Sequence, residues 1–188
     1  MNISHIEENS FIYGPGCRFV IWVQGCSIRC KGCWNSEMWD FNLKKDKSTD
    51  DLYAMILMNK ETIEGVTFLG GEPLDQYAEL LILLKKIKQT DLSVMLFTGY
   101  EKGEIIQKGY NDIYQYCDII VSGRYEQKKR TLNHQWIGST NQDIDFISDR
   151  YRNFGIDDRN YIEITIEENG SQHFLGFVNK KIARKLIK

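Results

Sequence analysis

Short apolar runs alternate with amphipathic stretches along most of this chain. Cys17-Arg18-Phe19-Val20-Ile21-Trp22-Val23 is rich in β-branched and aromatic residues and predicts a strand, entered from the turn-forming Gly14-Pro15-Gly16. After a charged stretch from Lys44 to Asp50, Ser48 or Thr49 can cap a helix running to about Asn59, and the apolar Val66-Thr67-Phe68-Leu69 follows as a strand. Gly70-Gly71-Glu72-Pro73 then leads into a helix with Leu74, Tyr77, Leu81, Leu84 and Lys88 at i, i+3, i+4 spacing, whose stripe reads as core. Ser93-Val94-Met95-Leu96-Phe97 is the next strand, and helical segments between Glu101 and Tyr116 precede a strand at Asp118-Ile119-Ile120-Val121. Repeated β–α alternation with short connections implies an α/β fold with a mostly parallel sheet and right-handed crossovers.

From Ser122 to Asn160 the chain is polar and carries no readable period, as in a long functional loop. Beyond it, Ile162, Ile164 and Ile166 alternate with polar residues, Asn169-Gly170 is a hairpin turn signal, and Gln172 to Val178 can form the return strand. A short basic amphipathic helix is expected at the end, with Ile182, Ala183, Leu186 and Ile187 on one face and Lys181, Arg184, Lys185 and Lys188 mostly opposite. A length of 188 residues, 42% of them hydrophobic, fits one domain over 1–188, with a core at about 10–142 and an extension at about 150–188.

Charge narrows the functional classes. A formal net charge of −2 gives no overall positive field, so no nucleic-acid partner is expected. No apolar run reaches membrane-spanning length, and the N-terminus lacks both a basic region and an apolar signal core, so the expected location is the cytoplasm, with no membrane partner. Five cysteines, three of them within eight residues, suit a reducing compartment and a metal site better than a disulfide framework.

Those three are Cys26, Cys30 and Cys33, a C-x3-C-x2-C array just after a predicted strand. An iron–sulfur cluster is normally held by four thiolates, so a cubane held by three leaves one iron open to an exogenous ligand. Zinc is the alternative, although structural zinc sites favour paired C-x2-C or C-x2-C/H-x3-H spacings and no histidine lies near this loop. A second feature stands at the end of the Val66–Leu69 strand. In Gly70-Gly71-Glu72-Pro73 two glycines let backbone approach a ligand, Glu72 offers an anionic acceptor, and strand ends are where open α/β sheets bind ligands. Cys17 and Cys117 are isolated in sequence and read as buried small hydrophobes. His5, His134 and His173 carry no partner motif, and Lys128-Lys129-Arg130 reads as a solvated charged face.

The C-x3-C-x2-C array and the GGEP segment together resemble the radical S-adenosylmethionine (SAM) superfamily, and further segments resemble its anaerobic ribonucleotide reductase activating enzymes. The likeness spans most of residues 10–142: Gly14-Pro15-Gly16-Cys17-Arg18, Trp22-Val23-Gln24-Gly25-Cys26, Gly32-Cys33-Trp34-Asn35, Thr98-Gly99-Tyr100, Val121-Ser122-Gly123-Arg124-Tyr125 and Gly138-Ser139-Thr140-Asn141-Gln142. The resemblance implies a compact partial (β/α) barrel of the radical SAM type, followed here by a C-terminal hairpin and short helix.

As cofactors the resemblance implies a 4Fe–4S cluster on Cys26, Cys30 and Cys33, together with SAM, held by Gly70, Gly71, Glu72, Pro73, Thr98, Gly99, Trp34 and Asn35. Trp34 takes the place of the aromatic that many superfamily members carry before the third cysteine, where this chain has Gly32. Arg18 and Asn141 are further candidate contacts. The implied reaction is reductive cleavage of SAM to methionine and a 5′-deoxyadenosyl radical, which removes a hydrogen from one glycine of a partner. The implied partners are a glycyl radical enzyme such as an anaerobic ribonucleotide reductase and a flavodoxin or ferredoxin donor. Two alternatives stand beside it: a compact radical SAM enzyme acting on a small molecule or peptide, and a non-catalytic metal-binding module. The chain departs from the activase pattern in having Ser122 where an acidic residue is expected, and in continuing past the Gly138–Gln142 segment.

Overall fold

The computed structural model describes residues 1–42, 44–166 and 168–176. Nine strands and four α-helices occur among them: β1 (Asn2–Ser10), β2 (Arg18–Val23), β3 (Lys45–Asp46), α1 (Thr49–Met58), β4 (Gly65–Gly70), α2 (Tyr77–Ile87), β5 (Ser93–Phe97), α3 (Lys102–Gln107), α4 (Ile113–Tyr116), β6 (Ile119–Ser122), β7 (Asp143–Phe146), β8 (Ile162–Ile166) and β9 (Gln172–Gly176). Seven strands form one sheet in the order β3-β1-β2-β4-β5-β6-β7, and β8-β9 form a separate hairpin.

The inner four strands β2, β4, β5 and β6 are parallel and stand side by side in chain order, the arrangement of a partial (β/α) barrel. Antiparallel strands flank this core, with β1 on β2 and β7 on β6. Neither flanking strand is apparent in the hydrophobic pattern. β1 is mostly polar, and only Ile3 and Ser10 of it are fully buried; β7 is a four-residue segment inside the stretch without period.

Period-2 alternation gives the parallel sheet two apolar faces. Phe19, Ile21, Val23, Val66, Phe68, Val94, Leu96 and Ile120 pack against Leu52, Ile56, Leu80, Leu83, Leu84, Ile87, Ile105 and Ile113 of the four helices. The opposite face carries Val20, Trp22 and Leu69 in one cluster, and Met95, Ile119 and Val121 with Trp136, Ile137 and Tyr151 in another. The segment after β6 therefore covers the face that the helices leave bare.

Local signals set the helix ends. Ser48 caps α1 by accepting from Asp51 N, and Asn59 is its C-cap. The chain enters α2 through a 3-10 turn at Pro73–Gln76 rather than a single helix from Leu74. That turn places the buried stripe at Leu80, Leu83, Leu84 and Ile87, with Leu81 half-buried and Lys88 exposed. Four residues at three per turn advance about 80° further than four at 3.6 per turn, close to one residue step, which accounts for the shift of phase.

The β8–β9 hairpin pairs Ile164 with Phe174 and is joined to the main body by Gly176 N donating to Tyr13 Oη (2.9 Å) and Ser10 Oγ donating to Glu163 Oε2 (2.6 Å). The terminal helix expected at 181–188 lies outside the described residues, as does the end of the return strand at Val178.

Candidate functional site

A solvent-open cavity of about 200 Å³ lies at the carboxyl ends of the parallel strands. This is where α/β sheets place ligands, because successive strand-end loops converge there. Cys26, Cys30, Cys33, Trp34 and Asn35 reach it after β2, Gly70, Gly71 and Glu72 at the end of β4, Thr98 and Gly99 after β5, and Gly123 and Tyr125 after β6. Of the residues expected at the site, Pro73 alone stands off the wall; it is buried and starts the 3-10 turn.

Register explains why the cysteine loop and the glycine turn meet. β2 and β4 are paired from Arg18↔Gly65 to Val23↔Gly70, so both chains leave the sheet at the same level. Gly71 N donates to Val23 O and Glu72 N to Gly25 O, each at 2.8 Å. A Cβ on Gly71 would stand 2.2 Å from Gly25 O, which is backbone and cannot swing aside. Within the cysteine loop, Arg29 (φ 51°) and Gly32 (φ 76°) take left-handed conformations that turn the chain so that all three thiols share one wall.

Backbone amides of Arg29 and Ile28 point at the Cys26 sulfur, and that of Tyr125 at the Cys30 sulfur. Burial pushes both thiols above the ordinary value. Such amide donors are what a sulfur carrying negative charge uses, and hydrogen bonds to ligand sulfurs tune iron–sulfur clusters. As they stand, no three or more His, Cys, Asp or Glu side chains among the described residues form a group that could hold a metal ion.

Glu72 is 1% exposed and held by three donors. Its Oε1 accepts from Leu74 N (2.9 Å) and Thr98 Oγ1 (2.8 Å), and its Oε2 from Gly99 N (2.8 Å). Burial, only partly offset by those hydrogen bonds, pushes its carboxyl up to about 7. One lone-pair position on Oε2 is left for a donor from the cavity. Thr98 and Gly99 thus act through Glu72 as well as lining the wall.

Several wall residues were not apparent from the sequence. The guanidinium of Arg130 lies 5.1 Å from the centre of the Trp34 ring, so the charged run from Lys128 to Arg130 contributes one of its members to the site rather than a solvated face alone. Trp136 is 6% exposed with φ 66°, an uncommon conformation for a bulky residue, and its buried Nε1–H finds no acceptor among the described residues; nor does that of Trp39. Both line the cavity, where a ligand acceptor would satisfy them. Asn160, Tyr161 and Gly176 add a wall from the hairpin region.

Other candidates fall elsewhere. Arg18 is fully buried at the opposite end of β2, where it donates to Thr67 Oγ1 (2.6 Å), Pro15 O (3.2 Å), Ser93 Oγ (2.9 Å) and Val66 O (2.7 Å). It cannot touch a ligand in the cavity, and the Gly14-Pro15-Gly16-Cys17-Arg18 motif is structural: a Cβ on Gly14 would stand 2.4 Å from the Arg18 side chain. Asn141 donates to Arg124 O (2.8 Å), while Gln142 accepts from Gly138 N and donates to Gly123 O, which locks the segment after β6. Arg124 pairs with Glu104, and Ser122 is buried at the end of β6. Cys117 is buried in the helix-side core, and Cys17 packs partly against it. His5 lies against Trp22 at the sheet edge.

Three thiols and a buried carboxylate around one strand-end cavity of a parallel α/β sheet are a donor set suited to the class of proteins that take a sulfur-ligated cofactor beside an organic ligand. The comparisons make this specific. A family model described as a 4Fe-4S single cluster domain matches residues 12–145. The anaerobic ribonucleoside-triphosphate reductase-activating protein of Enterobacteria phage T4 is 31% identical over 147 residues, covering 76% of this chain and 92% of that one. Its namesake in Pasteurella multocida is 32% identical over 158 residues, covering 77% and 96%. The pyruvate formate-lyase-activating enzyme of Clostridium pasteurianum is 32% identical over 124 residues, covering 63% of this chain and 50% of that one. The chain belongs to the 4Fe–4S single cluster domain family, among the radical SAM activating proteins. These are enzymes whose cofactors are one 4Fe–4S cluster and SAM, and which act on glycyl radical enzymes. The hairpin wall lies past the matched residues 12–145.

Proposed function

We propose that Cys26, Cys30 and Cys33 hold the cluster, that Gly70, Gly71, Glu72, Pro73, Thr98, Gly99, Trp34 and Asn35 form the SAM site, and that the partner is an anaerobic ribonucleoside-triphosphate reductase. The observation that carries this reading is the convergence of the three thiols and Glu72 on one strand-end cavity. When bound, the cluster supplies the single electron that cleaves the sulfonium C–S bond of SAM and so gives the 5′-deoxyadenosyl radical.

The chain's own residues do the rest. Glu72 accepts a hydrogen bond from the SAM ammonium, and binding the cation draws its carboxyl back toward the ionised form. Gly70 and Gly71 leave the turn bare of side chains, so the ligand backbone lies close along it, while Pro73 fixes the start of the next turn. Trp34, ordered by Arg130, offers an aromatic face, and the Nε1–H groups of Trp39 and Trp136 offer donors. Leu69, Phe97 and Val121 form an apolar floor that excludes water from a reactive intermediate. A flavodoxin or ferredoxin is the electron donor, the whole chain is one domain, and the setting is cytoplasmic.

The test is to mix anaerobically reconstituted protein, SAM and dithionite with an anaerobic ribonucleoside-triphosphate reductase, and separately with pyruvate formate-lyase. The reading predicts a glycyl radical signal by electron paramagnetic resonance with the reductase. Formation of 5′-deoxyadenosine with no glycyl radical on either partner would contradict it and favour a small-molecule substrate.

A further inference from the structure

Asp75 sits in the 3-10 turn just past the Gly70–Pro73 segment and does not line the cavity. Its Oδ2 accepts from Ser27 N at 2.6 Å, and its Oδ1 accepts from Ser27 Oγ and from Tyr100 Oη, each at 2.9 Å. Ser27 Oγ and Tyr100 Oη are themselves 3.0 Å apart. The three side chains close a hydrogen-bonded triangle behind the cysteine loop. One corner is the residue after Cys26, one follows the glycine turn, and one follows Thr98-Gly99. Tyr100 is 5% exposed, and burial pushes its hydroxyl up to about 12, so it stays a donor.

All three donors to Asp75 are neutral, and among the described residues the charged group seen against the triangle is Lys108, which stands over the Tyr100 ring, 5.1 Å from its centre, rather than on the carboxylate. The carboxylate's charge stands beside the cysteine loop, since Asp75 Oδ2 is bonded to the backbone N–H of Ser27, the residue after Cys26. A fixed carboxylate held this close to a ligand loop disfavours an extra electron on a metal centre that the loop carries.

We propose that Asp75 is a positioning residue for the cluster, one that both ties the Cys26–Cys33 loop to the two neighbouring strand ends and keeps the cluster's reduction potential low. The inference rests on the cluster assignment above and adds the carboxylate that supports it from behind. A low potential is what an enzyme needs in order to pass an electron to a sulfonium, so the same side chain serves geometry and driving force.

Two substitutions in the full chain separate these effects. In Asp75→Asn the amide oxygen can accept from Ser27 N while the amide nitrogen donates to Ser27 Oγ or Tyr100 Oη, so the triangle survives and the charge does not. In Asp75→Ala both are lost. After anaerobic reconstitution, Asp75→Asn should hold as much iron as wild type. Its reduced-to-oxidised ratio at a fixed potential should be higher by about tenfold, which is about 59 mV for one electron. In the metal-free protein, Asp75→Ala should let iodoacetamide alkylate Cys30 at least about fivefold faster, since the loop opens locally, while Cys17 reacts as in wild type. Asp75→Asn should restore the slow rate.

A wild-type potential in Asp75→Asn, or a wild-type Cys30 rate in Asp75→Ala, would overturn the proposal. If Asp75→Ala does not fold, Ser27→Ala removes one corner of the triangle, and with it two of its three edges, and should speed Cys30 alkylation in the same direction; no change there would equally overturn it. Should wild type take up no iron at all, the cluster assignment fails, and the alkylation rates still decide whether Asp75 anchors the loop.

Discussion

Replacing Glu72 by glutamine should change the pH dependence of stability of the metal-free protein, because the carboxyl is buried and pushed up from 4.5 to about 7. In the folded chain the carboxyl is protonated below about pH 7, whereas in the unfolded chain it is protonated only below about 4.5. The folded state therefore binds more protons in between, and stability from this group is fully present below pH 4.5 and is lost as pH rises through 7. With about 1.4 kcal/mol for each pKa unit, wild type should lose about 2.5 kcal/mol from this group alone between pH 5 and pH 8. Glutamine does not titrate, so the difference between wild type and Glu72→Gln isolates the effect from every other group. The assay is urea unfolding of both proteins at pH 5 and pH 8, under reductant and without iron. The wild-type-minus-variant stability should fall by about 2.5 kcal/mol from the lower pH to the higher. A difference that stays flat would refute the burial argument for Glu72. The same linkage predicts that a cationic amino group binds more tightly as pH rises towards 7, by up to about tenfold per unit, and levels off above it.

Gly71→Ala should leave the helices and sheet folded yet abolish iron uptake, since the new methyl would stand 2.2 Å from Gly25 O and displace the root of the cysteine loop; circular dichroism and iron content check the two halves. Arg18→Ala should destabilise the chain by about 3 kcal/mol or more in urea unfolding, because Thr67, Pro15, Ser93 and Val66 would each lose a buried donor. The folded fraction of that variant should still take up cluster, as Arg18 lies at the far end of β2. Arg130→Gln should weaken SAM binding modestly, by about threefold in a titration, through loss of the contact that orders Trp34. A change of several hundredfold would give Arg130 a direct ligand contact instead.

The parts of this fold that the sequence makes legible are those in which one local signal acts alone. Ser48 and Asn59 bound α1 because capping is decided within a few residues, and the apolar run at Ser93–Phe97 is a strand because both its faces are covered. β1 was not legible, since a mostly polar strand is held by its pairing with β2 rather than by its own burial. β7 lay hidden for the same reason, in a segment whose order comes from β6 and from Gln142 bonding to Gly123. At the site, the three cysteines and Glu72 were legible because their chemistry is rare and their spacing is local. Arg130, Trp136 and Tyr161 were not, because they reach the cavity from a stretch without period, and the only hint was the aromatic character of Trp136 and Tyr161 amid polar residues. Arg18 shows the converse, a charged residue in a recognisable motif whose task is to satisfy buried carbonyl and hydroxyl oxygens.

The central claim, that Cys26, Cys30 and Cys33 carry a cluster on which SAM acts, is tested most directly by anaerobic reconstitution with iron and sulfide. Dithionite reduction, electron paramagnetic resonance with and without SAM, and assay of 5′-deoxyadenosine follow, with Cys30→Ala as control. The account predicts a reduced-cluster signal that changes when SAM is added, and 5′-deoxyadenosine from wild type but not from the variant. A cluster indifferent to SAM, or no cluster signal at all, would contradict it.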